Sequence, residues 1–243
     1  MKSEKISKYW DEKWSKETTD KLKLHNFGIC VKDLVLFTKK LVLNLPLQER
    51  SKILDIGGAT GKILQFYFDN DLYKNFEFYI VDISKEALKI AEKRGYKTFC
   101  IDIENSGLPF LENEFSLVIL QEVIEHLHNP EIVLREIFRV LKPKGFVVVT
   151  TPNVVSLHDR LRILLGYKPS CMLLDETHIK FFTHSDIETL LSKCKFKVIF
   201  SSTQGIYIPV RFLWFKKYIK IPFIHKIFKE LGQNIIIIGQ KFK

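Results

Sequence analysis

The chain has 243 residues, of which 46% are hydrophobic and 27% are charged, with a formal net charge of +10. This composition is typical of a folded globular protein, excludes a largely disordered chain, and at this length suits one sizeable core with embellishments. No stretch approaches the roughly 20 apolar residues that a membrane span needs, and the polar start MKSEKISKYWDEKW argues against a signal peptide.

The four cysteines lie far apart in the sequence and form no C-x-x-C pair. They are Cys30, Cys100, Cys171 and Cys194. This spacing predicts neither a zinc site nor a disulfide framework. A reducing, cytoplasmic compartment is therefore expected.

Residues 1–50 are predicted to form a helical segment in front of the main domain. Trp10 and Trp14 are four residues apart, and apolar residues recur at helical spacing from Val31 to Leu45, where Pro46 ends the pattern. The spacing predicts amphipathic helices that pack on the domain.

The stretch 52–64, KILDIGGATGKIL, predicts a buried strand, a tight glycine turn and the start of a helix. Its pattern, Asp55-x-Gly57-x-x-x-Gly61, differs from the G-x-G-x-x-G of dinucleotide sites and lacks the Lys-Ser/Thr of a P-loop. Backbone N–H groups at such a turn make a pocket for the polar tail of a ligand, and Asp55 can accept a hydrogen bond from it.

Strands then alternate with helices along the chain. Strands are predicted at 53–56, 76–81, 96–101, 115–120, 146–150, 196–201 and 234–240, and helices at 62 onward, 85–94, 130–141 and 185–193. This alternation predicts an α/β fold with a Rossmann-like, seven-stranded, mostly parallel sheet, an antiparallel C-terminal strand and helices on both faces. Ligands of such sheets bind at the carboxyl ends of the strands, where Asp55, Asp82 and Asp102 fall.

Three segments together resemble the class I S-adenosylmethionine-dependent methyltransferases, in the branch that includes the ubiquinone-pathway O-methyltransferases. They are the glycine turn, the run 99–153 with its EVIEH and RVLKPKG strings, and THIKFFT at 177–183. The resemblance covers about residues 50–205. The chain departs from the family pattern at Ala59, Ser116 and Lys144.

The resemblance implies that S-adenosylmethionine is the cofactor and that the aromatic N-terminal segment folds over it as a lid. The residues expected to bind the cofactor are Asp55, Gly57, Gly58, Gly61, Asp82, Ile83, Asp102, Ile103 and Gln121. Asp82 is placed to accept both ribose hydroxyls, and Asp102 to accept from the adenine amine.

A hydroxyl acceptor must lose its proton during methyl transfer, and histidine is the side chain that titrates near neutral pH. His126 and His178 are the catalytic candidates, since both fall in segments expected at the mouth of the cleft. If the chain turns helical after Leu120, then Glu122, Glu125 and His126 share one helix face.

With His178, these residues would bind Mg²⁺, Mn²⁺ or Zn²⁺, an arrangement that similar enzymes use when they 2′-O-methylate small-RNA 3′ ends. The alternative is that the glutamates cap or solvate a helix and that His126 contacts the substrate directly.

The segment 206–231 is rich in aromatic residues and lysine and lies between two predicted strands. From residue 206 to the end, eight Lys and Arg residues stand against Glu230 alone, a net charge of +7. Pro209 and Pro222 divide the segment, which predicts broken amphipathic helices on an anionic membrane surface. The alternative is that the segment packs against the core or a dimer partner.

The predicted organisation is a lid segment at 1–50, a core at 51–205, an insertion at 206–232 and a final strand at 233–243.

The function predicted from these features is methylation, at oxygen, of a small or lipid-linked acceptor. An RNA methyltransferase is the alternative within the enzyme class, supported by an isoelectric point of about 9.3. The alternative of another class is a membrane-surface binding protein on a degenerate methyltransferase fold. The sequence does not predict the oligomeric state.

Overall fold

The computed structural model describes residues 2–16, 29–69, 74–209, 218–220 and 230–242. The helices in this part of the chain are α1 (Lys2–Lys16), α2 (Ile29–Leu43), α3 (Lys62–Tyr67), α4 (Lys85–Lys93), α5 (Ile103–Ser106), α6 (Pro130–Val140), α7 (Leu157–Leu164), α8 (Cys171–Leu174) and α9 (His184–Lys193). The strands are β1 (Lys52–Ile56), β2 (Glu77–Asp82), β3 (Lys97–Cys100), β4 (Phe115–Gln121), β5 (Leu141–Pro152), β6 (Phe196–Gln204), β7 (Tyr207–Pro209), β8 (Tyr218–Lys220) and β9 (Asn234–Lys241).

Seven strands form one sheet in the order β3-β2-β1-β4-β5-β9-β6. The pairs among β1 to β5 are parallel, and β9 runs antiparallel to both β5 and β6. This arrangement confirms the predicted fold class. Because the strand order reverses between β1 and β4, the sheet has a crevice at their carboxyl ends, where ligands of such folds bind.

The sheet is buried on both faces because its central strands are apolar on both sides. Leu54 and Ile56 belong to the cluster on one face, and Ile53 and Ile80 to the cluster on the other. Continuous apolar runs of this kind are typical of parallel strands covered by helices. The burial fixes the direction of β1 and therefore the position of the glycine turn that follows it.

Local capping signals place several helix starts where the sequence predicts them. The Ser84 hydroxyl accepts a hydrogen bond from the Ala87 N–H at the start of α4, and Thr183 with Asp186 forms a capping box at the start of α9. The end of α6 differs by one residue, since Leu141 already belongs to β5. Residues 142–145, which separate the predicted helix from the predicted strand at 146–150, lie within β5, at a shift in its register with β4.

The helix predicted directly after Leu120 is wrong. β4 continues to Gln121, Glu122 has a φ of 53°, and a single 3-10 turn follows at Ile124–His126. A left-handed residue cannot belong to a right-handed helix. Glu122 therefore does not share a helix face with Glu125 and His126, and the two carboxylates point to different surroundings.

The described parts of the segment 206–231 are strands and not the predicted helices. Tyr207–Pro209 pairs antiparallel with Tyr218–Lys220 to form a small separate sheet. Residues 210–217 and 221–229, which carry most of the predicted membrane-binding side chains, lie outside the described residues. Among the residues that are described, none of the helices is both long and apolar enough to span a bilayer.

Candidate active site

A cavity of about 430 Å³ lies at the carboxyl ends of β1, β2 and β4. Its floor contains Gly57, Asp82 and Glu122, and α1 covers it with Ile6, Trp10 and Trp14. The lining is mainly apolar, with a few carboxylates and histidines, as is typical of small-molecule sites.

The glycine turn after β1 forms part of the cavity wall. Gly57 has a φ of 69°, and its N–H donates to the Val81 carbonyl at 2.7 Å, which joins the turn to β2. Ala59 lines the cavity with a φ of 46°, and its N–H donates to the Asp82 carboxylate at 2.9 Å. Gly61 faces the packed interior instead, where a Cβ would lie 2.4 Å from the Tyr96 ring. The turn thus combines cavity-lining residues with a residue required for helix packing.

The side chain of Asp82 is held in place by backbone N–H groups. Its carboxylate accepts from the N–H of Ala59 and from the N–H of Ser84, the latter at 2.8 Å. Burial raises its pKa, although these hydrogen bonds act in the opposite direction. Each carboxylate oxygen keeps a further lone pair for a hydroxyl in the cavity.

Asp55 lies beneath the turn, and its Oδ2 atom is buried without a hydrogen-bond partner. Burial, followed by the nearby charge of Asp82, raises the pKa of this carboxyl to about 8. A buried acceptor without a donor is costly unless a ligand or proton satisfies it. Asp55 lies behind the cavity wall, whereas the carboxyl groups of Asp82, Asp102 and Glu122 line the cavity and fit a cofactor that carries positive charge and O–H and N–H donors, as S-adenosylmethionine does.

The predicted cofactor residues divide into two groups. Those that line the cavity are Gly57, Asp82, Ile83, Asp102 and Ile103. Those that do not line it are Asp55, Gly58, Gly61 and Gln121. Gln121 accepts a hydrogen bond from the buried Tyr67 hydroxyl at 2.6 Å, and Asp102 also caps α5.

We expect Asp82→Ala to weaken binding of S-adenosylhomocysteine by about 1.5–3 kcal/mol, because hydrogen bonds to a charged group are lost. Isothermal titration calorimetry measures this change. Asp82→Asn is the matched control: it keeps an acceptor oxygen and should lose less. Parental affinity in Asp82→Ala would place the ribose elsewhere.

We expect Asp55→Asn to change how stability depends on pH. An aspartate with a folded pKa of about 8 and an unfolded pKa near 3.8 destabilises the native state progressively as pH rises from about 4 to 8. The amide cannot ionise, so the stability of the variant should depend less on pH across this window. Urea unfolding at pH 5 and pH 8 measures the difference, and identical pH dependence in parent and variant would contradict it.

His126 and His178 lie together at the edge of the cavity, with ring centroids 4.8 Å apart. The Nδ1 atom of His126 is 3.0 Å from the Thr177 carbonyl oxygen, and that of His178 is 2.9 Å from the Cys171 carbonyl oxygen. A carbonyl only accepts, so each Nδ1 carries a proton, and in a neutral imidazole the Nε2 atom is then the one with the lone pair. His126 lines the cavity, whereas His178 lies behind it.

The two glutamates of the EVIEH string have different partners. Glu122 lines the cavity and accepts from the Thr150 hydroxyl at 2.9 Å, and burial raises its pKa to about 7. Glu125 turns inward and accepts from the Thr151 hydroxyl at 3.0 Å, while burial raises its pKa well above the usual range. The other oxygen of Glu125 is buried without a hydrogen-bond partner, 3.9 Å from Nε2 of His178.

Three of the four predicted metal ligands come together. One potential ligand atom from each of Glu125, His126 and His178 lies within 4.8 Å of the others, and Glu122 is not in this group. Both histidines donate their other ring nitrogen to a backbone carbonyl, as metal-ligating histidines usually do. The donor set of one oxygen and two nitrogens fits a divalent transition metal.

The sequence does not predict the contacts that hold α1 over the cavity. Asp11 accepts from the Ser84 hydroxyl at 2.7 Å and from the Glu86 N–H at 3.1 Å, at the start of α4. Lys13 lies 3.3 Å from Asp175, which also accepts from the Thr177 N–H at 2.9 Å. The contacts of Asp11 and Lys13 join residues 73 to 162 positions apart in the chain, so no local spacing indicates them.

The fold and the site define a class of protein. A mostly parallel seven-stranded sheet with an antiparallel strand, together with a D-x-G-x-x-x-G turn and strand-end acids around one cavity, is the architecture of S-adenosylmethionine-dependent methyltransferases. A family model described as "Methyltransferase domain" matches residues 32–200. The chain belongs to this methyltransferase domain family.

Known proteins similar to this chain include two curated methyltransferases. The ubiquinone/menaquinone biosynthesis C-methyltransferase UbiE of Bartonella quintana is 31% identical over 46% of this chain and 45% of that protein. The malonyl-[acyl-carrier protein] O-methyltransferase of Marinomonas sp. is 28% identical over 61% of this chain and 53% of that protein. The chain therefore spans about half the length of these relatives.

A solved structure from Archaeoglobus fulgidus, described as a SAM dependent methyltransferase, has a similar fold. It aligns with a TM-score of 0.61 at 17% identity, over 85% of this chain and 94% of that chain. At this identity the likeness concerns the fold alone.

Proposed function

We propose that the chain transfers a methyl group from S-adenosylmethionine to a hydroxyl oxygen of a small or lipid-linked acceptor. The observation that carries this proposal is the orientation of His126. Its ring lines the cavity and its Nδ1 is held by the Thr177 carbonyl, so in the neutral ring Nε2 is the nitrogen that can act as a general base. Burial lowers the pKa of His126 and keeps it neutral near pH 7.

The chemistry of this transfer is mainly positioning. When bound, the cofactor supplies a sulfonium methyl group, and Asp82, Asp102 and the Gly57 turn would hold its nucleoside and its polar tail. The aromatic side chains of α1 cover the cavity and would exclude water from a bound cofactor, and the carboxyl group of Glu122 lines the same cavity. His126 accepts the proton of the acceptor hydroxyl.

A second form of the mechanism uses a divalent cation. The convergence of Glu125, His126 and His178 and the unpartnered oxygen of Glu125 favour it. A cation there would lower the pKa of the acceptor hydroxyl, so that His126 acts as a ligand and not as the base. Calorimetry with Mn²⁺ distinguishes the two forms: parent protein should bind and Glu125→Gln should not. Full activity in excess EDTA would exclude the metal-dependent form, so that the mechanism with His126 as the base would remain.

The acceptor class is tested with labelled cofactor and fractionated cell extract. Calorimetry first establishes that S-adenosylhomocysteine binds; failure to bind at high micromolar concentration would favour the non-enzymatic alternative. Label recovered in small soluble molecules or lipids then supports the proposal. Label in RNA would favour the RNA methyltransferase instead, and label on nitrogen or carbon would contradict O-methylation.

A further inference from the structure

Helix α7 has its polar and apolar sides reversed relative to an ordinary surface helix. Its buried residues are His158 and Asp159, whereas Leu161, Ile163 and Leu164 are exposed. Surface helices normally bury the apolar side. The buried Asp159 accepts from the Ser156 hydroxyl at 3.0 Å and from the Ser170 N–H at 2.6 Å, so the reversed orientation is fixed by hydrogen bonds.

The outward apolar residues continue from α7 into α8 and form what we call the α7–α8 face. Leu164 is 81% exposed and Leu165 is 71% exposed. The face consists of Ile163, Leu164, Leu165, Tyr167, Met172 and Leu173. Scattered exposed leucines are ordinary, but six large apolar side chains within eleven residues mark an interaction surface.

The charged residues within this stretch of the chain are cations, although Arg160 lies 3.6 Å from Glu230. Residues 160–173 contain Arg160, Arg162 and Lys168 and no aspartate or glutamate. The Leu157 N–H donates to the Leu231 carbonyl at 2.9 Å, so α7 begins beside Glu230, which pairs with Arg160 and leaves Arg162 and Lys168 as the cations that border the face. Apolar side chains bordered by cations are complementary to an anionic lipid headgroup layer.

The face also leads directly to the candidate active site. The Cys171 carbonyl at the start of α8 accepts from His178, and Asp175 just beyond α8 is bonded to Thr177 and to Lys13 of α1. The side of the cavity that carries His126 and His178 therefore lies within a few residues of the α7–α8 face.

We propose that the α7–α8 face binds the surface of an anionic lipid bilayer, with its leucines in the headgroup region and its cations against the lipid charges. This goes beyond methyl transfer, because the surface and the cofactor site are separate. It gives the enzyme access to a lipid-linked acceptor at the interface.

Cosedimentation with phosphatidylcholine vesicles containing increasing phosphatidylglycerol tests the proposal on the full chain. Binding should rise with anionic lipid and fall in high salt. The double variant Leu164→Gln/Leu165→Gln should lower the partition coefficient about tenfold or more. Lys168→Gln should lower it about fivefold, the effect of roughly one surface cation.

Matched controls use side chains remote from the face. Leu111 is 78% exposed just before the amino end of β4, and Lys142 lies near the amino end of β5, whereas α7 follows the carboxyl end of β5. Leu111→Gln and Lys142→Gln should therefore each bind vesicles like the parent. Calorimetry with S-adenosylhomocysteine should give parental affinity for the double variant, which separates vesicle binding from the cofactor site.

Three results would overturn the proposal. One is equal, negligible binding of the parent to neutral and anionic vesicles. Another is a change of oligomeric state in the double variant by sedimentation velocity, which would assign the face to a second copy of the chain. The third is a large fall in thermal stability of the double variant, which would mean that the chain's own residues cover the face.

Discussion

Gly57→Val should remove cofactor binding and lower the free energy of unfolding by about 3 kcal/mol or more. Gly57 has a φ of 69°, which a β-branched residue adopts only with strain. A Cβ there would also lie 2.4 Å from a methyl carbon of Val123, which borders the cavity. Calorimetry with S-adenosylhomocysteine and urea unfolding measure the two effects.

Gly95→Ala is the control that separates backbone strain from overlap. Gly95 has a φ of 86°, and a Cβ there would meet no atom within 4 Å. Gly95→Ala should therefore lower the free energy of unfolding only through backbone strain, by about 1 kcal/mol, and leave cofactor binding unchanged. If Gly57→Val lowered the free energy of unfolding no more than Gly95→Ala does, overlap with Val123 would not contribute to the loss.

Local patterns are sufficient to predict most of the fold. Strand assignment depends on apolar runs such as Ile53 to Ile56, and helix starts depend on caps such as Ser84, all of which act over a few residues. The same locality explains why Asp82 could be placed at the cavity from its position at the end of β2. Parallel topology then brings the strand ends to one edge.

The candidate site is less predictable because its geometry depends on deviations from regular structure. The left-handed backbone conformation at Glu122 directs its side chain away from that of Glu125, although their spacing of three residues indicates a shared helix face. The position of His126 depends on Thr177, 51 residues further along the chain. Likewise, the reversed orientation of α7 results from the burial of Asp159, which hydropathy alone would place outside.

His126→Asn should lower kcat about 10²–10⁴-fold, the usual contribution of a general base, while leaving the affinity for S-adenosylhomocysteine within a few fold of the parent. Asparagine keeps a polar group of similar size but cannot accept the proton. The measurement is the rate of label transfer from S-adenosylmethionine into the extract fraction that accepts it with the parent protein, together with calorimetry.

His128→Asn provides the comparison, because His128 lies two residues away and also lines the cavity, but its Nδ1 is 3.4 Å from a Glu104 carboxylate oxygen on the α5 side. We expect a change in cofactor affinity at most, with kcat preserved. Equal losses of kcat in both variants would mean that this wall of the cavity acts only through its shape. A loss confined to His126→Asn, together with full activity of the parent protein in excess EDTA, would assign proton removal to the imidazole, because a metal-dependent route would lose its ion to the chelator.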